Sequence, residues 1–345
     1  MKHLVTGVAA LLATTGMAAA GGLDRSGQSI SAIFETGSYV ELSFGSVQPT
    51  VEGVFNHPFF GPLPSGDVAP DYTQTGLAFK MDVNDKISAG VIVDSPYGAN
   101  VSYEQPGYPL YTTNAKVNTT SISFVGRYKL NDAFSVHAGV RAVTASGRFD
   151  PAGPYASTYA PGTDTGYLVG VAYEKPEIAL RVALTYATQT EFALDGTAGD
   201  LTATMPASVN LDVQSGIAAN TLLFGSVRWA DWTSATIDDT DAGNLVDYSS
   251  DSVSYSIGVG RKFSDSFSGA LTLGYEGAEG TAASNLSPTD GYMSIGLGGT
   301  YTRGNMKVTG GVRYVDIGDA TTEVLGAEFK DNSAVGVGLK VSFSF

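Results

Sequence analysis

The sequence predicts an all-β fold, a transmembrane antiparallel β-barrel of about 14 strands behind a short N-terminal segment. The first observation is compositional: 43 glycines in 345 residues, 15% charged residues and 10% aromatics suit many short strands joined by turns better than helices. The second is alternation, clearest at the C-terminus. There Val335, Val337, Leu339, Val341, Phe343 and Phe345 interleave with Gly336, Gly338, Lys340, Ser342 and Ser344, so every large apolar side chain lies on one sheet face. Such a strand suits a soluble sandwich or a membrane barrel equally well. The third observation, the sorting of connections by length, decides between them.

Taken in order, the candidate strands are 38–48, 72–83, 86–94, 117–130, 134–147, 164–174, 178–190, 201–214, 219–232, 252–263, 267–276, 291–303, 305–316 and 333–345. Short connections (Asn84-Asp85, Asn131-Asp132, Lys175-Pro176-Glu177, Gly216 to Ala218, Ser264-Asp265-Ser266 and Gly304) alternate with long ones at 49–71, 95–116, 148–163, 191–200, 233–251, 277–290 and 317–332. Tight turns on one rim and long loops on the other are the layout of an outer-membrane barrel, whereas a sandwich has no reason to sort its loops. After the N-terminus no run approaches the roughly 18 apolar residues of a membrane helix, so any span is made by strands.

Met1-Lys2-His3, an apolar run from Leu4 to Met17 and Ala18-Ala19-Ala20 read as a secretory signal over residues 1–20, cleaved near Gly21. The alternative is an uncleaved anchor, against which stands the lack of a charged stop-transfer segment. Zero cysteines exclude disulfides, thiolate metal sites and cysteine nucleophiles. The net charge of -15 argues against nucleic acid as a partner.

Alternation also sorts the charged residues. Apolar Phe134, Val136, Ala138, Val140 and Ala142 face lipid and leave His137 and Arg141 inside; the same sorting sends Lys80, Arg127, Arg181, Arg228, Arg313 and Lys340 inward. Lys or Arg on the lipid face at mid-depth costs about 2–4 kcal/mol, which forces this placement without making it functional. Each base is either a structural ion pair bracing the wall or part of a cluster that binds a carboxylate by charge-assisted hydrogen bonds. The first two long loops concentrate Phe55, Phe59, Phe60 and Leu63, then Tyr97, Tyr103, Tyr108 and Tyr111. Exposed apolar side chains there either capture a hydrophobic ligand or pack the loops together.

Several stretches resemble the FadL/TodX (OMPP1) family of outer-membrane transporters for long-chain fatty acids and other hydrophobic compounds. They are Ser95-Pro96-Tyr97-Gly98 with Tyr103 and Glu104; Phe124 to Val140 around the Leu130-Asn131-Asp132 turn; and Met205-Pro206-Ala207-Ser208-Val209-Asn210-Leu211 leading to Trp229-Ala230-Asp231-Trp232. The resemblance implies a fourteen-stranded barrel over 38–345, plugged by an N-terminal hatch over 21–37 with Ile33, Phe34 and Glu35 in it, and sideways release through a gap in the wall. It also implies a Gram-negative outer-membrane location, no cofactor, contact with outer-membrane lipid and lipopolysaccharide, and a monomeric state. The family's Asn-Pro-Ala is missing from this hatch, which reads Ala32-Ile33-Phe34-Glu35-Thr36-Gly37, so the gating implied is put in doubt. Phe345, a terminal aromatic on an alternating strand, resembles the signal read by the barrel-assembly machinery.

No Gly-x-Ser-x-Gly elbow or His-Glu-x-x-His occurs, and after the signal the histidines are His57 and His137, so no catalytic constellation is expected. Asp238, Asp239, Asp241, Asp247 and Asp251 lack EF-hand spacing and read as a solvated acidic loop before a cation site. The function expected is passive transport of long-chain fatty acids or other hydrophobic molecules. A general diffusion porin and a surface adhesin are the alternatives.

Overall fold

In the computed structural model, which describes residues 23–345, fourteen antiparallel strands close into a barrel. They are β1 (Tyr39–Thr50), β2 (Tyr72–Asp82), β3 (Ile87–Asp94), β4 (Asn114–Lys129), β5 (Phe134–Asp150), β6 (Ser157–Lys175), β7 (Leu180–Ala187), β8 (Ser208–Ala218), β9 (Thr221–Ala230), β10 (Ser252–Lys262), β11 (Phe267–Glu276), β12 (Tyr292–Arg303), β13 (Met306–Ile317) and β14 (Asn332–Ser344). β1 pairs with β14 from Tyr39↔Ser344 to Thr50↔Ser333, which removes the sheet edge. The expected secretory signal lies outside the described residues.

The alternation is realised as predicted. In β5, Phe134, Val136 and Val140 are exposed while Ser135, His137 and Arg141 are buried; in β14, Val335, Val337, Leu339 and Phe343 point outward and Lys340 is buried. An exposed apolar band this extensive is stable only against hydrocarbon. Ser38 and Phe345 exchange backbone hydrogen bonds of 3.0 and 2.9 Å, placing both ends of the barrel at one rim. The tight turns share that rim, and two of them place Asn220 (φ 60°) and Gly304 (φ 59°) in the left-handed region that these residue types tolerate best.

Three boundaries differ from expectation. The long connection expected at 148–163 shrinks to 151–156, because β5 and β6 pair as far as Phe149↔Ser157, well beyond the roughly 9–11 residues a membrane strand needs. Ala145, Phe149 and Tyr159 on these extensions pack into an apolar cluster above the membrane, which favours a continued ladder over a loop. The strand expected over 201–214 divides at Pro206-Ala207: Leu201–Met205 belongs to a loop sheet and only Ser208 onward joins the barrel. Pro206 has no N–H to offer a continuous ladder. Similarly, the strand expected over 178–190 ends at Ala187, and Thr190–Leu194 joins the same loop sheet.

The long loops form a cap from two small sheets. One orders Thr190–Leu194, Leu201–Met205, Thr236–Asp239 and Gly243–Asp247; the other orders Ala320–Thr321, Glu328–Phe329, Glu52–His57 and Gly61–Asp67. The N-terminal segment starts under the cap, where Leu23 packs in the cap cluster with Tyr97 and Trp232. It then runs through the barrel to Ser38. On the way its 3₁₀ turn Ser31–Phe34 buries Ile33 and Phe34 against the lumen-facing Val125, Leu168, Ala172 and Ala183.

One part of the wall is interrupted. β2 pairs with β1 from Tyr72 to Lys80 but with β3 only from Leu77 to Asp82. β3 stops at Asp94, and the chain resumes pairing with β4 at Gly98–Ser102 after Ser95-Pro96-Tyr97. The N-terminal segment supplies part of the missing pairing: Arg25 N–H donates to Pro96 O at 2.8 Å and Gly98 N–H to Leu23 O at 2.8 Å.

Candidate ligand-binding site

Three stretches far apart in sequence meet under the cap. Tyr97 is buried, its hydroxyl donates to Pro206 O at 3.1 Å, and its ring stands edge-on to Trp232 at 6.0 Å. Thr119 stands in for the lost ladder partner, accepting from Tyr97 N–H at 2.8 Å and donating to Tyr97 O at 2.7 Å. The Pro-Tyr-Gly, Met-Pro-Ala-Ser and Trp-Ala-Asp-Trp stretches therefore form one unit at the place where the wall is broken.

Two cavities flank this unit. One, of about 640 Å³, is almost wholly apolar, with Leu23, Val117, Leu194, Met205, Ile237 and Val246 among its lining. The other, of about 730 Å³, is walled by residues such as Val47, Val51, Val68, Tyr72, Val101 and Ile317, with Arg25 as its basic member. Both are lined by Ala99, Leu286 and Ser287, so they adjoin. A third, of about 650 Å³, lies at the interrupted wall and is lined by Ser26 and Ser29 of the N-terminal segment together with the outward-facing Phe44, Leu77 and Leu339. Its walls thus join the lumen to the lipid face at Gly45, Gly76 and Gly338.

Most of the lumen bases expected to bind a carboxylate are engaged by the protein itself. Lys80 donates to Gly37 O at 2.8 Å and pairs with Asp82; Arg127 pairs with Glu174 and donates to Ser135 Oγ at 3.0 Å. Arg141 holds Gln28 and donates to Thr188 O at 2.7 Å, and Arg228 pairs with Asp24 while donating to Asn210 Oδ1 at 2.8 Å. His137 shares a hydrogen bond with Thr185 Oγ1 at 2.9 Å, and it reaches across β6 because Gly170 is the residue between them. Arg127 and Arg181 lie over the Phe34 ring at 4.8 and 4.9 Å, and His137 meets its edge at 5.6 Å. Phe34 is therefore the hub of a cationic collar. Glu35 follows it half-buried, and Arg313 is half-buried on the lumen side of β13.

The loop aromatics divide into two groups. Phe59 and Phe60 are 90% and 77% exposed at the tip between Glu52–His57 and Gly61–Asp67, where His57 Nδ1 accepts from both their N–H groups at 3.2 Å. Tyr111 is also exposed, whereas Tyr103 and Tyr108 are buried and stack at 5.3 Å, with Phe55 and Leu63 packed on the same cluster. Burial pushes the Tyr108 hydroxyl up to about 12, and Tyr103, whose O–H donates to Asn285 O at 2.6 Å, is raised as well by burial.

Arg25 did not stand out by periodicity. It is 8% exposed; its Nε donates to Gly98 O at 2.7 Å and its guanidinium lies 3.4 Å from the Tyr72 ring centroid. A Cβ at Gly98 would lie 3.2 Å from Val117 O, a tight approach to backbone, and in ordinary contact with Arg25. A signal was available in the sequence: Arg25 is the sole Lys or Arg between Lys2 and Lys80.

The family described as outer membrane protein transport protein (OMPP1/FadL/TodX) matches residues 30–275. A Pseudomonas aeruginosa FadL homologue superposes with a TM-score of 0.76 at 14% identity, covering 100% of both chains. The toluene transporter TodX of P. putida gives 0.66 at 13% identity, covering 90% of this chain and 91% of its own. The toluene transporter TbuX of Ralstonia pickettii gives 0.65 at 15% identity, covering 96% and 97%. No curated protein matches the chain by sequence.

Proposed function

Since the chain belongs to the OMPP1/FadL/TodX family of outer membrane transport proteins, we propose that it is a passive channel for long-chain fatty acids or other hydrophobic small molecules, with the N-terminal segment acting as a hatch. The observation that carries this reading is the succession of cavities. Apolar chambers under the cap adjoin each other at Ala99 and Leu286, and Arg25 of the second chamber is followed in sequence by Ser26, which lines the cavity at the wall.

A ligand taken up at the cap loses its water in the apolar chambers, gaining about 0.8 kcal/mol per buried CH₂ without any single strong contact. It is driven onward by its concentration gradient. The succession of lining residues leads sideways between β2 and β3, where the ladder ends at Leu77↔Val93. The exposed pair Phe59 and Phe60 suits first capture, because two apolar rings in water lower the cost of desolvating a greasy ligand.

The test is uptake of labelled oleate by a knockout strain complemented with the wild-type chain or with Phe59→Ser/Phe60→Ser. Uptake several-fold above the empty strain for the wild type, and a partial loss for the double variant, is expected. Equal uptake in the empty and complemented strains overturns the proposal, and large steady ion conductance in planar bilayers would turn it into a general porin. TodX and TbuX are toluene transporters, so the same cells are also tested for toluene-dependent competition.

A further inference from the structure

β4, β5 and β6 are longer than a membrane crossing requires, and the excess has two faces. The inner face, with Val117, Ala145 and Phe149, packs on the cap cluster. The outer face is uncovered. Along β4 its side chains are Phe124 and Ile122, then Thr120, Asn118 and Lys116; along β5 they are Val140 and Ala142, then Thr144, Ser146 and Arg148. The apolar surface thus ends at the row Ile122↔Ala142, just above the exposed Tyr167 of β6. Hydroxyl and amide groups follow, with Thr144 and Thr163 sharing a hydrogen bond of 2.7 Å. Lys116 and Arg148 then stand opposite each other in the ladder. They lie six residues beyond Ile122 and Ala142, which at ~3.3 Å per residue and a tilt of ~35–45° is about 15 Å above the apolar surface.

Exposed cations are scarce on this half of the molecule. Among the described residues, exposed Lys86, Lys175, Arg261 and Arg303 lie at the tight-turn rim, and the long-loop half has Lys116, Arg148 and Lys330. Lys330 pairs with Glu328, whereas Lys116 makes no ion pair among the described residues. Arg148 pairs with Asp150, but it is 59% exposed, and a guanidinium with five donors keeps most of them free beside one carboxylate. The surroundings are acidic: Asp241, Asp247 and Asp251 are exposed in the cap, and past β6 the exposed Glu191 and Asp195 bound the patch. Two adjacent cations in such a setting make a local site for an anion.

We propose that Lys116 and Arg148 dock the phosphorylated core sugars of a lipopolysaccharide molecule whose acyl chains lie on the apolar wall below. The order of the surface matches that of the lipid: apolar side chains for acyl chains, hydroxyls and amides for sugars, cations for phosphates. Opposed residues of a ladder have Cα atoms ~4.5–5.5 Å apart, so both side chains reach one phosphate, Arg148 by two parallel hydrogen bonds and Lys116 as a point charge. Height selects the lipid. A phospholipid headgroup layer adds about 5–8 Å to the hydrocarbon of one leaflet, which leaves its phosphate well below the pair. A lipid with a phosphorylated saccharide above its acyl chains reaches it. The site is on the outside of the barrel and does not depend on what passes through the lumen.

The test is native mass spectrometry of the full-length protein in detergent, titrated with lipopolysaccharide bearing a phosphorylated core, with the same lipopolysaccharide after removal of its phosphates, and with phosphatidylglycerol. The proteins are wild type, Lys116→Gln/Arg148→Gln, and Lys86→Gln/Lys175→Gln, which removes the same charge at the tight-turn rim. Heat-modifiable gel mobility reports the folded barrel. Wild type and the rim variant are expected to bind the phosphorylated form at least about tenfold more tightly than the dephosphorylated one, as one charge-assisted contact would give. Lys116→Gln/Arg148→Gln loses that preference by weakening the phosphorylated form alone, and Lys116→Arg/Arg148→Lys keeps it. An undiminished preference in Lys116→Gln/Arg148→Gln overturns the site. An equal loss in the rim variant also overturns it, by reducing the effect to net charge. So does phosphatidylglycerol that binds wild type as tightly as lipopolysaccharide and depends equally on the pair. Should the double variant fail to fold, Lys116→Gln alone decides: a partial loss supports the site and an unchanged preference refutes it.

Discussion

The wall formed by β4, β5 and β6 and the wall formed by β2 and β3 obey the same alternation yet are built for opposite ends. In the first, β5 and β6 pair from Phe134↔Tyr173 to Phe149↔Ser157 with a single register shift, and the lumen row His137–Gly170–Thr185 is locked by a hydrogen bond across a glycine. In the second, the ladder stops at Leu77↔Val93, Pro96 offers no N–H, and the N-terminal segment fills part of the gap. A closed ladder seals the barrel, since a backbone group unpaired in hydrocarbon is costly. An interruption survives only where other groups satisfy the backbone, as Thr119, Leu23 and Arg25 do around Tyr97.

The sharpest way to break this comparison is to add a side chain at equivalent-looking glycines. A Cβ on Gly170 would collide with Leu184 O, part of the backbone, as well as with His137, so Gly170→Val is expected to prevent recovery of a heat-modifiable barrel, with Gly170→Ala losing about 1–3 kcal/mol on urea titration. At Gly76 the nearest obstacle is the Ser43 hydroxyl at 2.6 Å, the end of a short side chain that can turn away. Gly76→Phe is therefore expected to fold normally while lowering labelled-oleate uptake severalfold by filling the wall cavity. Undiminished uptake would show that ligand leaves elsewhere.

The smallest expected effect sharpens the contrast between the barrel and its cap. Asp239 is buried, which pushes its carboxyl upward, but the Tyr155 and Tyr159 hydroxyls at 2.6 Å and the N–H groups of Ala242 and Asp241 outweigh burial and hold it below the usual range. A lowered carboxylate contributes stability that is complete above its unfolded value near ~3.9 and is lost as pH falls through the lower folded value. Amide exchange in 190–205 and 236–247 is expected to quicken below about pH 4 while the β5 and β6 amides stay protected. Asp239→Asn should remove that acid response; an unchanged response would place the sensitive group elsewhere.

Much of the barrel was legible before any coordinates. Phe134, Val136 and Val140 alternate with His137 and Arg141 because lipid and lumen impose opposite solvents at a two-residue period, a constraint that acts locally and leaves its mark in every strand. The turn at Leu130-Asn131-Asp132 and the one at Gly304 were visible for the same reason, since their chemistry is confined to a few residues. The ends of strands at the cap were less legible: Pro206 divides a strand that periodicity alone continues, and the Ala145 to Tyr159 pairing persists because of an apolar cluster assembled from distant loops.

What the amino-acid order determined by itself is therefore the strand count, the facing of each side chain and the inward placement of the bases. Which base meets a carboxylate was decided only by tertiary structure. Asp24 meets Arg228 across 204 positions, while its neighbour Arg25 reaches Gly98 across 73 and finds no carboxylate. Charge pairing depends on distances of a few ångströms between residues that periodicity places on the same face but not at the same height, and closure of the barrel alone brings those heights into register.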